Sequence, residues 1–233
     1  MELDKLLNVL EEAKVVVKVK LQVRVIKDKM LDLEEARQGA EAAGAETELI
    51  QLCDKNFKGC MSCFACKVKG SKTNGVCAWN DDLKPVLEKI MEADVLVIGS
   101  PIYFGNLSAM TLALMERVMF PVLNYKMPED GKRPRTLPKE KKTALVMTMN
   151  CPEAALGMVG YREKFDGAAK SLAGMLGDGE AHTLYVCNTW QFTDYDKYDV
   201  NMFDVADRKR QREEVFPEDL KKAFELGRAL CTE

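Results

Sequence analysis

The sequence predicts an α/β protein built on a five-stranded, doubly wound parallel sheet with helices on both faces. Three observations carry that reading. Val95-Leu-Val-Ile98 is a short, unbroken apolar run rich in β-branched residues, the pattern of a strand covered on both sides. Runs of that kind alternate along the chain with stretches of helical period, the order that produces parallel strands. The run at Val95 then passes through Gly99 and Pro101 into a long apolar helix candidate. That puts a rigid turn at a strand's carboxyl end, where open α/β sheets bind ligands.

Each element follows in turn. Residues 15–26 alternate apolar side chains with Lys18, Lys20, Gln22 and Arg24, the period-two signal of a strand. From Asp28 onward, Leu33, Ala36, Ala40 and Ala43 form a helical stripe that stops at Gly44. Residues 46–52 read as the second strand. Leu83, Val86, Leu87, Ile90 and Met91 repeat with helical spacing, and Asp81 or Asp82 is placed to cap that helix. The third strand, 95–98, is broken by Gly99 and Pro101, and a helix is expected over 107–120 with Met110, Met115 and Met119 as core filler. Strands at 143–149 and 183–187 complete the five. Leu220, Ala223 and Phe224 mark a last helix that starts near Pro217. Residues 190–216 fit no simple βαβ unit. Phe192, Tyr195, Tyr198 and Phe203 lie there among acids, positioned to cap a site or meet a second subunit, and the charged run 208–214 reads as a solvated helix face.

With 233 residues the chain can bury one large core, and no repeat or linker divides it. We read it as a single domain with an atypical N-terminus (1–27), a cysteine-rich loop (53–80) and the 190–216 insertion. A net charge of −3 leaves no basic footprint for nucleic acid. The apolar runs are too short for a membrane span. The start, Met1-Glu-Leu-Asp4, is acidic where a signal peptide is basic. The expected location is cytoplasmic, where clustered cysteines bind metal or do redox chemistry.

Cys60, Cys63 and Cys66 form a C-x2-C-x2-C run, and Cys77 follows after ten intervening residues. Three thiolates so spaced can curl round one metal centre, and a return through Gly70, Ser71, Asn74 and Gly75 can supply the fourth. Three readings stand side by side: a 4Fe–4S cluster, metal-free thiols, and zinc or a redox disulfide. Cys53, Cys151, Cys187 and Cys231 are isolated and read as small buried apolar residues, with Cys151 set apart by following a strand end at Met149-Asn150. The single histidine, His182, has no partner pattern, so no Ser/His/Asp or Cys/His arrangement can be built. Neither a P-loop nor a GxGxxG is present.

The heptapeptide Ser100-Pro101-Ile102-Tyr103-Phe104-Gly105-Asn106 resembles the flavin-contacting loop of the flavodoxin-like NADPH-dependent FMN reductases and iron–sulfur flavoproteins. The cysteine block followed by Asp81-Asp82 agrees with that family, and the similarity runs over residues 28–120, weakening towards 150 and the last helix. The resemblance implies a flavodoxin-like three-layer α/β/α fold with strand order 2-1-3-4-5. It implies FMN lying over residues 100–106, with Asn150 hydrogen-bonding the ring and NAD(P)H as electron donor. The acceptor would be free flavin, a quinone, an azo or nitro compound, or a 4Fe–4S cluster at Cys60, Cys63, Cys66 and Cys77. Hydride transfer to the flavin needs no general acid, so no catalytic side chain is expected. A homodimer or homotetramer is implied as well.

The resemblance also implies a Gly/Ser/Thr-rich turn after the first strand, where free amides and a helix dipole hold the FMN phosphate. Residues 1–38 contain no glycine, serine or threonine, and positions 21–27 read Leu-Gln-Val-Arg-Val-Ile-Lys, with Arg24, Lys27 and Lys29 the available cations. Synonymous codons exist for Gln22 to Lys27 whose third-base frame spells Ser-Pro-Arg-Asn-Lys, so the gene's own codons test for a local frame error. The alternative to an oxidoreductase is a flavin-free metal-binding or thiol redox-sensing protein on the same scaffold.

Overall fold

Apolar strands that need cover on both faces set the architecture. The computed structural model describes residues 20–24 (as backbone only), 31–73, 75–125, 136–177, 179–192 and 194–232. The strands are β1 (Lys20–Arg24), β2 (Thr47–Gln51), β3 (Val95–Tyr103), β4 (Asn106–Leu107), β5 (Lys142–Thr148) and β6 (Ala181–Val186). Five run parallel in the order β2-β1-β3-β5-β6, and β4 folds back antiparallel on β3. In a count that leaves out the short β4, this is the expected 2-1-3-4-5. Of the strand expected over 15–26, only Lys20–Arg24 falls within the described residues. The expected phosphate-turn positions 25–27, with Lys29, and residues 28–30 of the first helix lie outside them, as does Asn74 of the cysteine-loop return.

The helices are α1 (Leu31–Ala42), α2 (Lys84–Glu92), α3 (Ala109–Val122), α4 (Tyr161–Leu176), α5 (Val205–Arg210) and α6 (Phe216–Thr232). A π-helical turn, Gln211–Val215, joins the last two. The period-two alternation of β3 sorts them into layers. Leu96 and Ile98 point into a core with Leu87 and Ile90 of α2, Leu114 and Val118 of α3, and Phe165 and Leu172 of α4. Val95 and Val97 point the other way, against Leu33 and Ala36 of α1 and Ala223 and Leu230 of α6. Met115 is buried, while Met110 and Met119 pack at the edge of the first core.

Two glycines let α1 and α6 touch backbone to backbone. A Cβ on Gly39 would lie 1.9 Å from the Phe224 carbonyl oxygen, and one on Gly227 would lie 1.8 Å from that of Ala36. At the foot of the sheet Lys141 is buried and donates to the carbonyls of Met91 (2.7 Å) and Ala93 (2.9 Å), capping the end of α2. Burial, with Lys139 nearby, pushes its ammonium down to about 8.

Several expectations need correction. The third strand does not break at Gly99 and Pro101 but continues to Tyr103, pairing with β5 as far as Pro101 opposite Thr148. Proline fits because no described residue of β1 pairs with β3 beyond Ile98, so its missing N–H can face the open side of the ladder. Asp81 and Asp82 are not N-caps of α2, whose N-cap is Leu83: Asp81 accepts from the Leu83 N–H itself at 3.1 Å, and Asp82 accepts from the Asn56 N–H at 2.8 Å. Cys53 is exposed, and Cys151 and Cys231 are half-buried; only Cys187 of the isolated four is buried. The run 208–214 is not wholly a solvated face, because Arg208 is buried.

Candidate active site

The expected ring-binding heptapeptide is the turning end of β3. Ile102 and Tyr103 pair with Leu107 and Asn106, and the two residues between them, Phe104 (φ +48°) and Gly105 (φ +72°), are both left-handed. That is the two-residue hairpin geometry that matches strand twist. Asn and Gly suit it, whereas a phenylalanine there costs about 1–2 kcal/mol. The Phe104 side chain, 104% exposed, gains nothing in return from the described residues.

The hairpin is held firmly from behind. Ser100 Oγ accepts the Ser108 N–H at 3.0 Å and donates to the Pro101 carbonyl at 2.9 Å. Ser108 caps α3 by accepting from the Thr111 N–H. From the first turn of α4, Lys164 donates to the Gly105 carbonyl (2.7 Å) and to Asn106 Oδ1, and the Tyr161 ring lies 3.0 Å from where a Gly105 Cβ would stand. Asn106 Nδ2 donates to the Phe104 carbonyl at 3.3 Å. A strained, exposed aromatic on a braced turn is the pattern of a contact surface awaiting a ligand.

Beside the hairpin, a cleft of about 270 Å³ opens at the carboxyl ends of β3, β5 and β6. This is slightly below the range of drug-sized pockets, room for a ring system rather than a whole dinucleotide. Pro101, Ile102 and Tyr103 form one wall, Met149 and Asn150 the floor, and Trp190, Gln191, Gln211, Arg212 and Phe216 the far wall. Ser100, Phe104, Gly105 and Asn106 stand outside its lining.

Asn150 is the polar centre of the floor. Its Nδ2 donates to Gln191 Oε1, and its carbonyl accepts both guanidinium nitrogens of Arg208 at 3.3 Å. Its Oδ1 is buried with no hydrogen-bond partner among the described residues. Such an orphan costs about 1–3 kcal/mol unless a ligand donor meets it. Asn188 (φ +53°) donates from its N–H to the Cys151 carbonyl at 3.1 Å and from Nδ2 to Asp207 at 3.2 Å, which ties α5 to the cleft. In the 190–216 segment, Phe192 stacks on Tyr198 at 4.3 Å and meets Tyr195 edge-on at 5.2 Å, while Trp190 lies 4.6 Å from Tyr195. These rings buttress the wall; Trp190 alone among them faces the cleft. Burial pushes the Cys187 thiol up to about 12 and raises that of Cys151, so neither is poised as a nucleophile.

Cys60, Cys63, Cys66 and Cys77 line a second pocket, with Trp79 and Phe120. Two cations pin this loop to α3. Lys67 donates to the carbonyls of Phe120, Pro121 and Leu123 at the end of the helix. Arg117, 1% exposed, pairs with Asp81 and donates to the carbonyls of Lys58 (3.2 Å) and Trp79 (3.0 Å). Burial raises the Cys66 thiol; Lys67 opposes that, while Cys77 and Cys60 add to it. Among the described residues no three His, Cys, Asp or Glu side chains are arranged to hold a metal ion. The four sulfurs line one pocket without closing on a single point, a donor set that could surround a cluster rather than one ion.

Sequence reasoning missed Lys164, Arg208, Gln191, Gln211 and Arg212. The run at 208–214 marked three of them by position, but nothing local says which residues of a charged helix turn inward. His182 is half-buried, 4.0 Å from Glu180 and away from the cleft.

The family model described as NADPH-dependent FMN reductase matches residues 31–150. An iron–sulfur flavoprotein of Methanocaldococcus jannaschii is 41% identical over 83 residues, 36% of this chain and 40% of that protein. One from Archaeoglobus fulgidus is 40% identical over 85 residues, 36% and 39% of the two chains. The match thus spans about 40% of the length of these relatives. Among solved structures, an NAD(P)H:quinone oxidoreductase from Methanothermobacter marburgensis superposes with a TM-score of 0.63 at 18% identity, covering 94% of this chain and 99% of that one. An FMN-dependent NADH-azoreductase from Bacillus anthracis in complex with FMN gives 0.56 at 13% identity, covering 92% and 100%. These likenesses establish the shared fold.

Proposed function

The chain belongs to the NADPH-dependent FMN reductase family, and from that premise we propose that it is an FMN-dependent NAD(P)H oxidoreductase. The observation that carries the reading is the braced hairpin with exposed Phe104, set beside a cleft whose floor holds the unpaired Asn150 Oδ1. Those features fit a flavin. A flat ring would cover the turn and Tyr103, and a ring imide N–H would satisfy the asparagine oxygen. FMN bound there would supply hydride acceptance from NAD(P)H and electron delivery to a second substrate.

The protein's part is to orient and exclude. Ser100, Lys164 and Tyr161 fix the turn, Arg208 fixes the Asn150 backbone, and Trp190 and Phe216 wall off water. The acceptor class is a small molecule such as a quinone, azo or nitro compound, or free flavin. The four clustered thiols are assigned as ligands of a 4Fe–4S centre on the names of the relatives, with no electron step drawn through it. A homo-oligomer is proposed because the large apolar side chains of Phe104, Met158 and Val159 are exposed, the last two just ahead of Tyr161, which packs on the hairpin. A cytoplasmic location is proposed from the cysteine usage; no helix among the described residues is long and apolar enough to cross a membrane.

The test is a visible spectrum of protein purified without oxygen, with iron and acid-labile sulfide assayed on the same sample, followed by FMN addition and NAD(P)H oxidation. A two-banded flavin spectrum and donor oxidation with a quinone are expected. A colourless protein that takes up no added FMN overturns the reading. That outcome would favour the thiol-sensor alternative, which the absence of glycine, serine and threonine from residues 1–38 supports.

A further inference from the structure

The far wall of the cleft has a lopsided charge. Of the fourteen described residues that line the cleft none is acidic, and among them Arg212 alone is charged. In a chain of net charge −3, an acid-free cleft with one cation is selective by construction. The other basic side chains of the same run are engaged elsewhere. Arg208 is spent on the Asn150 carbonyl, Lys209 lies 3.8 Å from Glu213, and Arg210 pairs with Asp207. Arg212 instead lays its guanidinium on the Phe216 ring, 4.2 Å from the centroid. That contact orients the planar fork and leaves its N–H groups for a ligand.

The backbone explains why Arg212 is there. Residues 211–215 form a π-helical turn, closed by the Phe216 N–H donating to the Gln211 carbonyl. The extra residue per turn brings Gln211, Arg212 and Phe216 together onto the cleft. Single π turns of this kind recur at functional sites.

We propose that Arg212 is an anion receptor, and that the acceptor taken in this cleft is a planar aromatic compound carrying a carboxylate or sulfonate. The proposal rests on the flavin reading above, with the flavin body over the hairpin outside the cleft, only its imide edge reaching Asn150, and the acceptor ring inside the cleft against Trp190, Phe216 and the guanidinium. Gln191 and Gln211 supply further donors for ring substituents. Neutral rings of the same shape enter the cleft but lack the charge contact.

The test uses a matched pair of probes, 2-naphthoate and 2-naphthamide, which share a ring and differ in charge. Binding is followed by calorimetry on the full chain with FMN added, at low and at physiological salt. Naphthoate is expected to bind roughly fivefold more tightly than the amide, the upper end for an exposed ion pair. Added salt should erode that preference. In Arg212→Gln the preference disappears, both probes losing only the ring contact they share, and Arg212→Lys keeps part of it. Equal binding of the two probes, a preference that survives Arg212→Gln, or binding of neither probe overturns the proposal. So does displacement of naphthoate by FMN, which would make the cleft the flavin's own seat. The visible flavin band on the same sample keeps the two readings apart. An Arg212-dependent preference in protein that takes up no FMN leaves the anion site standing and removes the oxidoreductase. Bound FMN without the preference does the reverse.

Discussion

Replacing Arg117 by methionine tests whether the cysteine loop is held by one buried guanidinium. The side chain is 1% exposed and its partner Asp81 is 13% exposed, so the pair sits in a region where water screens little. Methionine keeps most of the volume and removes the charge, which leaves Asp81, among the described residues, with its Leu83 N–H contact at 3.1 Å. The carbonyls of Lys58 and Trp79 lose their donor in the same step. Removing one partner of a buried pair costs roughly 3–5 kcal/mol, and the residual exposure of Asp81 argues for the lower end, about 3 kcal/mol. For a chain of this size that lowers Tm by roughly 6–12 °C. The loop should loosen too, because Arg117 spans from α3 to both ends of the cysteine segment. Thermal unfolding and alkylation rates of Cys60, Cys66 and Cys77, mapped by mass spectrometry, read the two effects. The double variant Asp81→Asn, Arg117→Met should recover part of the loss, since no unpaired carboxylate remains. A Tm within about 2 °C of wild type with unchanged alkylation would refute the idea that this pair organises the loop.

Three further outcomes follow from other parts of the fold. Gly227→Ala places a methyl 1.8 Å from the Ala36 carbonyl oxygen, so α1 and α6 must part by more than an ångström. A loss of roughly 1–3 kcal/mol in urea unfolding is expected, and an unchanged midpoint would contradict it. Lys141, held down to about 8 in the folded chain against about 10.4 when unfolded, is a penalty below pH 8 that lifts as pH rises between those values. Wild type should therefore gain stability from pH 8 to 10 relative to Lys141→Met, and parallel pH profiles of the two would count against it. Lys164→Met removes the prop under Gly105 and Asn106 and should weaken FMN binding several-fold with little change in Tm, read by flavin fluorescence quenching.

How much of this was legible in the sequence depends on the range of the physics involved. The strands and helices whose faces repeat with a fixed period lie within a few residues of where the pattern puts them, because burial on one or both faces is a local signal. The strand order followed from the resemblance, and the pairing of β1 between β2 and β3 agrees with it. Pro101 misled because proline's cost depends on what stands beside it. A proline inside a fully paired strand would end it, whereas here the described ladder with β1 stops at Ile98. The same limit hides the far wall of the cleft. Arg208 and Arg212 differ by one helical turn in a run of charges, yet one is buried on a carbonyl 58 residues away and the other stacks on Phe216 facing an acid-free cleft. No periodicity separates them, since it is the π-helical turn between Arg210 and Phe216 that rotates one relative to the other. The cysteine loop shows the converse. Its spacing is a strong local signal, but where the thiols sit depends on Lys67 and Arg117 anchoring the loop to α3, and those anchors gather the four sulfurs round one pocket.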